Sequence, residues 1–156
     1  MKPGTYTQLY IQLVIAVNNR DALLLKEIRP RVFEYISGII TELKHKSIIV
    51  NGVSDHIHIL LGLNGNVSIS DTVHAIKRGS SLFINKEKLC KFKFSWQEGY
   101  GAFSYSKSHL ERVYKYIKNQ EMHHSKKSFK KEYIDFLKKF EVEYDERFLF
   151  RFIEDT

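Results

Sequence analysis

The sequence predicts an α+β fold in which helices pack on an antiparallel sheet. Residues 47–63 read as two strands joined by a turn, and four segments carry apolar residues at helical spacing. A chain of 156 residues with 43% hydrophobic residues and only two prolines is typical of one compact domain. We therefore expect a single domain over residues 1–156, in which residues 129–156 form a C-terminal helix and tail.

The first half of the chain alternates strand and helix patterns. Residues 6–17 are rich in Tyr, Ile, Leu and Val, which favours a buried strand. A helix is predicted from Pro30, because apolar residues follow it at spacings of three and four. The dipeptide Asn51-Gly52 is a typical hairpin turn, and residues 53–63 form the strand predicted after it.

The second half begins with a helix that Ser70 can cap. Gly79 lies inside this helix and indicates a bend or a close approach of another backbone segment. Residues 92–106 are aromatic and strand-like, and Ser108 is the predicted cap of a third helix that runs to about His124.

Composition favours a nucleic-acid partner in a reducing compartment. The net charge of +7 and the excess of Lys and Arg over Asp and Glu favour a polyanionic ligand. The lone Cys90 cannot form an internal disulfide, which fits a cytoplasmic location. The apolar run at residues 9–17 is too short to span a membrane, so we expect no membrane association.

Two histidines alternate along the second strand of the hairpin. Strand geometry places His56 and His58 on one face and the intervening apolar residues on the other. Paired imidazoles can hold a divalent cation through one nitrogen each, which indicates a metal site. A half-exposed strand that carries two histidines for no chemical reason explains the dipeptide spacing equally well.

A phenol and an amide share one face of the third predicted helix. Tyr116 and Gln120 lie four residues apart at the border of its apolar stripe, whereas Tyr114 falls within that stripe. An ordinary amphipathic boundary would also place a tyrosine there. Taken together with the two histidines, the pair supplies a partial metal shell and a nucleophile, which indicates phosphoryl transfer through Tyr116.

Three motifs stand in a specific order along the chain. They are His56-Ile57-His58, residues 96–104 and residues 116–120, the last followed by His123-His124. This combination, over most of the chain, resembles the small single-tyrosine HUH transposases of bacterial insertion sequences, the IS200-like group. The relatives of that group include the REP-associated tyrosine transposases.

The resemblance implies a ferredoxin-like antiparallel sheet with the histidines on a central strand and the tyrosine on a following helix. It also implies that His56, His58 and Gln120 bind Mg²⁺ or Mn²⁺. Tyr116 would attack single-stranded DNA, leaving a 5′-phosphotyrosine and a free 3′-hydroxyl, and the reverse reaction would rejoin the strands without ATP. Members of the family recognise hairpins at the ends of a mobile element. They act as homodimers, which can pair the histidines of one subunit with the tyrosine helix of the other.

Basic side chains are the predicted contacts to the DNA backbone. The candidates are Lys77, Arg78, Lys91, Lys93, Lys126 and Lys127. Any one of them could instead belong to a solvated basic surface. His123 and His124 are predicted to approach the metal or a phosphate from outside the set of ligands, although a histidine at a helix end more commonly contacts exposed carbonyls.

Two other functions are consistent with these residues. A domesticated protein could keep the fold and bind hairpin DNA or RNA without cutting it, but it would have no need of the histidines, the tyrosine and the glutamine. A metal-dependent phosphodiesterase could use water as its nucleophile, and it would still hydrolyse DNA after a Tyr116→Phe substitution.

Overall fold

The computed structural model describes residues 2–153, which form one four-stranded antiparallel sheet with helices on both faces. The strands, in the order β2-β3-β1-β4, are β1 (Tyr10–Ala16), β2 (Lys46–Gly52), β3 (His56–Gly62) and β4 (Gly101–Tyr105). One helix connects β1 to β2 and another connects β3 towards β4, which gives the βαββαβ connectivity of a ferredoxin-like fold. The predicted α+β class is therefore confirmed.

The central strands β1 and β3 are buried on both faces of the sheet. Alternate residues point in opposite directions, so Ile57 and Ile59 enter one apolar cluster while Leu60 enters another. The apolar run at residues 9–17 is thus mostly β1. Between residues 2 and 153, no helix is long and apolar enough to cross a membrane.

Helices α1 (Arg29–Glu42) and α2 (Ile69–Lys86) cover one face of the sheet. They pack closely where Gly79 of α2 meets Ile39 of α1. A Cβ atom on Gly79 would lie 2.6 Å from Ile39 Cδ1, so the glycine marks a close approach of the two helices, as its position in the sequence indicates.

The hairpin between β2 and β3 turns later than the sequence predicts. Asn51 and Gly52 remain in β2, and residues 53–55 connect the strands. Asn51 has another use, because its amide donates hydrogen bonds to the carbonyl oxygens of Ile117 and Lys118 at 2.9 and 3.1 Å. Gly52 lies so close to β3 that a Cβ atom would overlap the backbone of the facing strand.

Three shorter helices lie over the other face of the sheet: α3 (Leu110–Lys118), α4 (Gln120–His124) and α5 (Phe129–Lys139). The predicted third helix is therefore broken at Asn119, which separates α3 from α4. The break immediately precedes α4, whose last residue, His124, contacts the ring of His56.

Two helix starts differ from the predicted caps. Ser68 rather than Ser70 caps α2, because its hydroxyl accepts a 2.9 Å hydrogen bond from the amide of Asp71. A 3₁₀ turn, Lys107–His109, precedes α3, so Ser108 lies inside that turn and does not cap the α-helix.

The aromatic segment at residues 92–106 is a strand only over β4. The residues before β4 are irregular, apart from one antiparallel bridge between Val17 and Trp96. Gln97 explains why this stretch stays in place, since its side-chain amide donates hydrogen bonds to the carbonyl oxygens of Val17 and Arg151. Two backbone hydrogen bonds flank this bridge, and beyond them side-chain hydrogen bonds replace the longer sheet ladder that the sequence predicts here.

The chain after α5 returns to the same face of the sheet. A 3₁₀ turn, Glu146–Phe148, precedes Phe150 and Phe152, whose buried rings pack against Phe129 of α5. The predicted C-terminal helix and tail thus form part of the core over the described residues, while residues 154–156 lie outside them.

Candidate active site

Strand β3 presents His56 and His58 on the face that α3, α4 and α5 cover. Both side chains are completely buried, so the strand is not half-exposed. The Nδ1 atom of His56 donates a 2.8 Å hydrogen bond to Asp55 Oδ1, which leaves Nε2 directed into the site. Its ring stacks on Phe129 with a centroid separation of 3.7 Å. The C-terminal helix α5 therefore closes the site over the strand.

Glu132 of α5 supplies a buried carboxylate at the centre of the site. Its Oε1 atom lies 3.2 Å from His56 Nε2, 3.1 Å from His58 Nε2 and 3.2 Å from His124 Nε2. One potential ligand atom from each of these four side chains lies within 4.8 Å of the others. Three imidazoles and a carboxylate directed at one point form a potential divalent-metal site.

The charges of this cluster depend on one another. Burial alone would raise the pKa of the Glu132 carboxyl, but the charge of His58 and hydrogen bonds from the imidazoles hold that pKa far below its ordinary value. Burial lowers the pKa of His58, whereas Asp55 and Glu132 outweigh burial at His56 and raise its pKa. A carboxylate that stays ionised in this enclosed site attracts a cation.

Tyr116 of α3 reaches the second oxygen of the same carboxylate. Its hydroxyl donates a hydrogen bond to Glu132 Oε2, and its ring stacks on His123 with a centroid separation of 4.5 Å. Burial raises the pKa of Tyr116 and the charge of Glu132 raises it further, so the hydroxyl is protonated at neutral pH. Tyr114 is exposed on the same helix, which corrects its predicted place in the apolar stripe.

Two buried polar atoms in the site have no hydrogen-bond partner among residues 2–153. They are Nε2 of His56 and Oε1 of Gln120. The amide nitrogen of Gln120 lies 3.4 Å from Glu132 Oε2, which holds the side chain beside the carboxylate. Unpaired buried polar atoms are costly, and a cation bound by both would satisfy them. The residues present therefore fit a divalent metal ion.

Gln12 of β1 supports the second histidine from behind. Its Nε2 atom lies 2.9 Å from His58 Nδ1, and its Oε1 atom accepts a 2.7 Å hydrogen bond from the hydroxyl of Tyr105. The only sign of this role in the sequence is that Gln12 interrupts an otherwise apolar strand. Such an interruption indicates a buried polar contact, although it does not identify the partner.

The sequence interpretation also missed Glu132, and it placed His124 outside the ligand set. Glu132 lies three residues after Phe129 and four before Phe136, on the apolar face of α5. An acidic residue within an apolar stripe is an available signal, because a buried carboxylate needs a partner. Which histidines it meets depends on the packing of α5 against β3, which helical periodicity does not contain.

A groove of about 590 Å³ opens beside Tyr116 and Glu132 between β4, α3 and α5. Besides Tyr116, its lining includes three aromatic rings, those of Tyr105, Phe136 and Phe140. Three cations also line it, from Arg112, Lys127 and Lys139, and Lys127 forms an ion pair with Asp135. Aromatic surfaces and cations together can receive an unpaired nucleotide strand at the tyrosine.

The predicted DNA-contacting cations lie in different places. Lys127 lines the groove, and Lys126 next to it is exposed. Lys77 instead donates hydrogen bonds to the carbonyl oxygens of Gln97 and Gly99 at 2.7 and 2.6 Å, which ties α2 to the chain before β4. The remaining candidates are all exposed and outside the groove: Arg78 on α2, and Lys91 and Lys93 in the segment that follows it.

The sequence matches a family model described as "Transposase IS200 like" over residues 5–120. No curated protein matches it. The matched range contains the strands, His56, His58, Tyr116 and Gln120, whereas His124 and Glu132 lie beyond it.

Two solved structures share the fold. A candidate transposase from Deinococcus radiodurans is 22% identical, with a TM-score of 0.61 over 77% of this chain and 96% of that chain. A REP-associated tyrosine transposase bound to a REP hairpin is 16% identical, with a TM-score of 0.57 over 80% of this chain and 74% of that chain.

Proposed function

Because this chain belongs to the IS200-like transposase family, we propose that it cleaves and rejoins single-stranded DNA through a covalent bond to Tyr116. The observation that carries the proposal is the convergence of the Tyr116 hydroxyl, His56 and His58 on one carboxylate, that of Glu132. A tyrosine beside a cation site has the parts that phosphoryl transfer requires.

The proposed reaction exchanges one phosphodiester for another. The phenolic oxygen of Tyr116 attacks a backbone phosphorus and loses its proton, and the bond from phosphorus to the 3′ oxygen breaks. The 3′ oxygen takes up a proton, so the products are a 5′-phosphotyrosine and a free 3′-hydroxyl. Rejoining reverses these bond changes and needs no ATP, because the phosphotyrosine conserves the bond energy.

A divalent cation, Mg²⁺ or Mn²⁺, would polarise the phosphate oxygens in this reaction. Nε2 atoms of His56 and His58 and the unpaired Oε1 of Gln120 are the atoms proposed to hold it. The Tyr116 hydroxyl is a poor nucleophile while its pKa is raised, so it needs the cation to offset the charge of Glu132. The hydrogen bond to Glu132 orients the hydroxyl in the meantime.

The proposed substrate is single-stranded DNA with hairpin ends, such as the ends of a mobile element. A relative of the same fold is bound to a REP hairpin, and this chain carries a net charge of +7. DNA as substrate and a lone cysteine both fit action in the cytoplasm. The proposal includes a homodimer, which would position two such ends for exchange.

The direct test is to incubate the purified protein with labelled single-stranded DNA that carries its flanking genomic hairpins. We expect a protein–DNA adduct that survives denaturation, forms with Mn²⁺ or Mg²⁺, and is absent with EDTA. Tyr116→Phe should abolish it. Tyr114→Phe is the matched control and should leave it intact, since Tyr114 is exposed on the same helix and outside the site.

Two results would contradict the proposal. Continued cleavage by Tyr116→Phe, without an adduct, would indicate a phosphodiesterase that uses water. Tight hairpin binding by the wild-type protein without any cleavage, on a substrate shown to carry the proper end, would indicate a domesticated binding protein.

A further inference from the structure

We propose that Glu132 and His124 are ligands of the divalent cation, so that the segment beyond residue 120 is part of the metal centre. This inference rests on the proposed function for the presence of a cation. It concerns residues that the family match does not include, because that match ends at residue 120.

The distances support ligation by the carboxylate. Two neighbouring ligands on one ion, at bonds of about 2.1 Å, are about 3.0 to 3.4 Å apart in octahedral or tetrahedral geometry. Glu132 Oε1 lies 3.1 to 3.2 Å from the Nε2 atoms of His56, His58 and His124. Glu132 Oε1 hydrogen-bonds to His58 and His124 at these distances, and the same separations would let a shared ion replace those hydrogen bonds without moving the carboxylate.

The orientation of His56 supports the same conclusion. His56 donates from Nδ1 to Asp55, which turns its Nε2 towards Glu132 Oε1 at 3.2 Å, although that atom completes no hydrogen bond of good geometry within residues 2–153. A divalent cation would replace the Nε2 proton and lie between the imidazole and the carboxylate. A histidine that donates to a carboxylate from its other nitrogen is typical of a metal ligand.

The local structure places both additional residues beside the histidines of β3. The break at Asn119 starts α4, whose last residue is His124, and Ser128 caps α5, which positions Glu132 in its first turn. The two oxygens of Glu132 have separate partners. Oε1 faces the imidazoles while Oε2 accepts the hydrogen bond from Tyr116, so one carboxylate can bind the cation and orient the nucleophile.

The ligand set determines which cation the site prefers. Three imidazoles and one carboxylate suit a transition metal such as Mn²⁺, whereas Mg²⁺ prefers oxygen ligands and retains water. Purified wild-type protein, without DNA, should therefore bind Mn²⁺ at least tenfold more tightly than Mg²⁺. Titration of free Mn²⁺ by electron paramagnetic resonance measures the first affinity, and competition with Mg²⁺ measures the second.

Glu132→Gln should lower Mn²⁺ affinity at least tenfold, and His124→Ala should lower it as well. Glu121→Gln is the matched control, because Glu121 lies in the same segment but is exposed and pairs with Arg29. Mn²⁺ should also raise the melting temperature of the wild-type protein and of Glu121→Gln, and at the same Mn²⁺ concentration it should raise that of Glu132→Gln less. Wild-type Mn²⁺ affinity in Glu132→Gln would overturn the proposal.

A measurement on the unmodified sequence keeps the test decisive if Glu132→Gln fails to fold. Protein labelled with ¹³C at its glutamate carboxyl carbons should show a ¹³C coupling to bound Mn²⁺ in electron–nuclear double resonance. Nitrogen couplings from three imidazoles are expected in the same sample. No carboxyl coupling, or couplings from only two imidazoles, would contradict the ligand set.

Failure of this inference can be told apart from failure of the proposed function. Tyr116→Phe should bind Mn²⁺ as the wild type does, because its hydroxyl is not a ligand. Glu132-dependent Mn²⁺ binding without any DNA adduct would leave the metal site standing and remove the transposition chemistry. A normal DNA adduct in Glu132→Gln would leave the transposition chemistry standing and remove Glu132 from the metal site.

Discussion

The orientation of His56 depends on its neighbour in sequence, Asp55. The carboxylate accepts the Nδ1 hydrogen of His56 at 2.8 Å and so keeps Nε2 directed into the site. The contact is local in sequence, because Asp55 lies in the connection between β2 and β3 immediately before the strand begins.

We expect Asp55→Ala to lower Mn²⁺ affinity by about 10- to 100-fold, because the His56 ring loses the partner that fixes its tautomer. Adduct formation should slow in parallel at a fixed, limiting Mn²⁺ concentration. Asp21→Ala provides the control, since Asp21 is exposed and precedes α1. Equal Mn²⁺ affinities for Asp55→Ala and the wild type would show that the carboxylate does not support His56.

The parts of the site that the sequence could predict are those with a local pattern. Alternation along β3 places His56 and His58 on one face, and a spacing of four residues brings Tyr116 and Gln120 together across the break at Asn119. Glu132 could not be assigned in this way. It lies 74 residues from His58 in sequence, and only the packing of α5 on the sheet brings them together.

At the scale of elements, the hairpin of β2 and β3 determines where the histidines stand. The two strands approach closely at Gly52, whose position leaves no room for a side chain beside the backbone of β3. The sequence pattern Asn51-Gly52 predicts a turn, and this was wrong because both residues have tertiary contacts that hold them in the strand. The hydrogen bonds of Asn51 with the end of α3 outweigh its local preference for a turn.

Gly52→Ala should lower the free energy of unfolding by about 1–3 kcal/mol or more, because the added Cβ atom overlaps main-chain atoms that have little freedom to move. Gly38→Ala should have the opposite effect and raise stability by up to about 1 kcal/mol, since Gly38 lies inside α1 with open space around it. Urea unfolding of both variants measures the difference. A Gly52→Ala protein as stable as the wild type would show that the hairpin tolerates a side chain there.

At the scale of the whole molecule, one chain carries every group of the site. The sheet supplies His56 and His58, α3 supplies Tyr116, and the segment beyond residue 120 supplies Glu132 over them. The order of strands and helices along the chain could be predicted from their apolar periods, whereas the ferredoxin-like sheet was expected from the resemblance to the IS200-like transposases. The closure of the site by α5 could not be predicted from the sequence, since the apolar stripe of α5 can pack on any hydrophobic surface.

The arrangement within one chain predicts that each subunit of a dimer uses its own tyrosine. A mixture of His56→Ala and Tyr116→Phe proteins, allowed to exchange subunits, should therefore form no adduct with hairpin DNA. A wild-type protein taken through the same exchange controls for lost activity. Recovery of adduct in the mixture would mean that the tyrosine of one subunit works with the histidines of the other.

The central claim is that the phenolic oxygen of Tyr116 forms the bond to DNA, and mass spectrometry of the adduct tests it most directly. After nuclease and protease digestion, we expect a nucleotide phosphate on the peptide that contains Tyr116, with fragmentation assigning it to that residue. Tyr114, two residues away and exposed, should be unmodified in the same spectrum. A phosphate on Tyr114, on a histidine or on any residue other than Tyr116 would contradict the account.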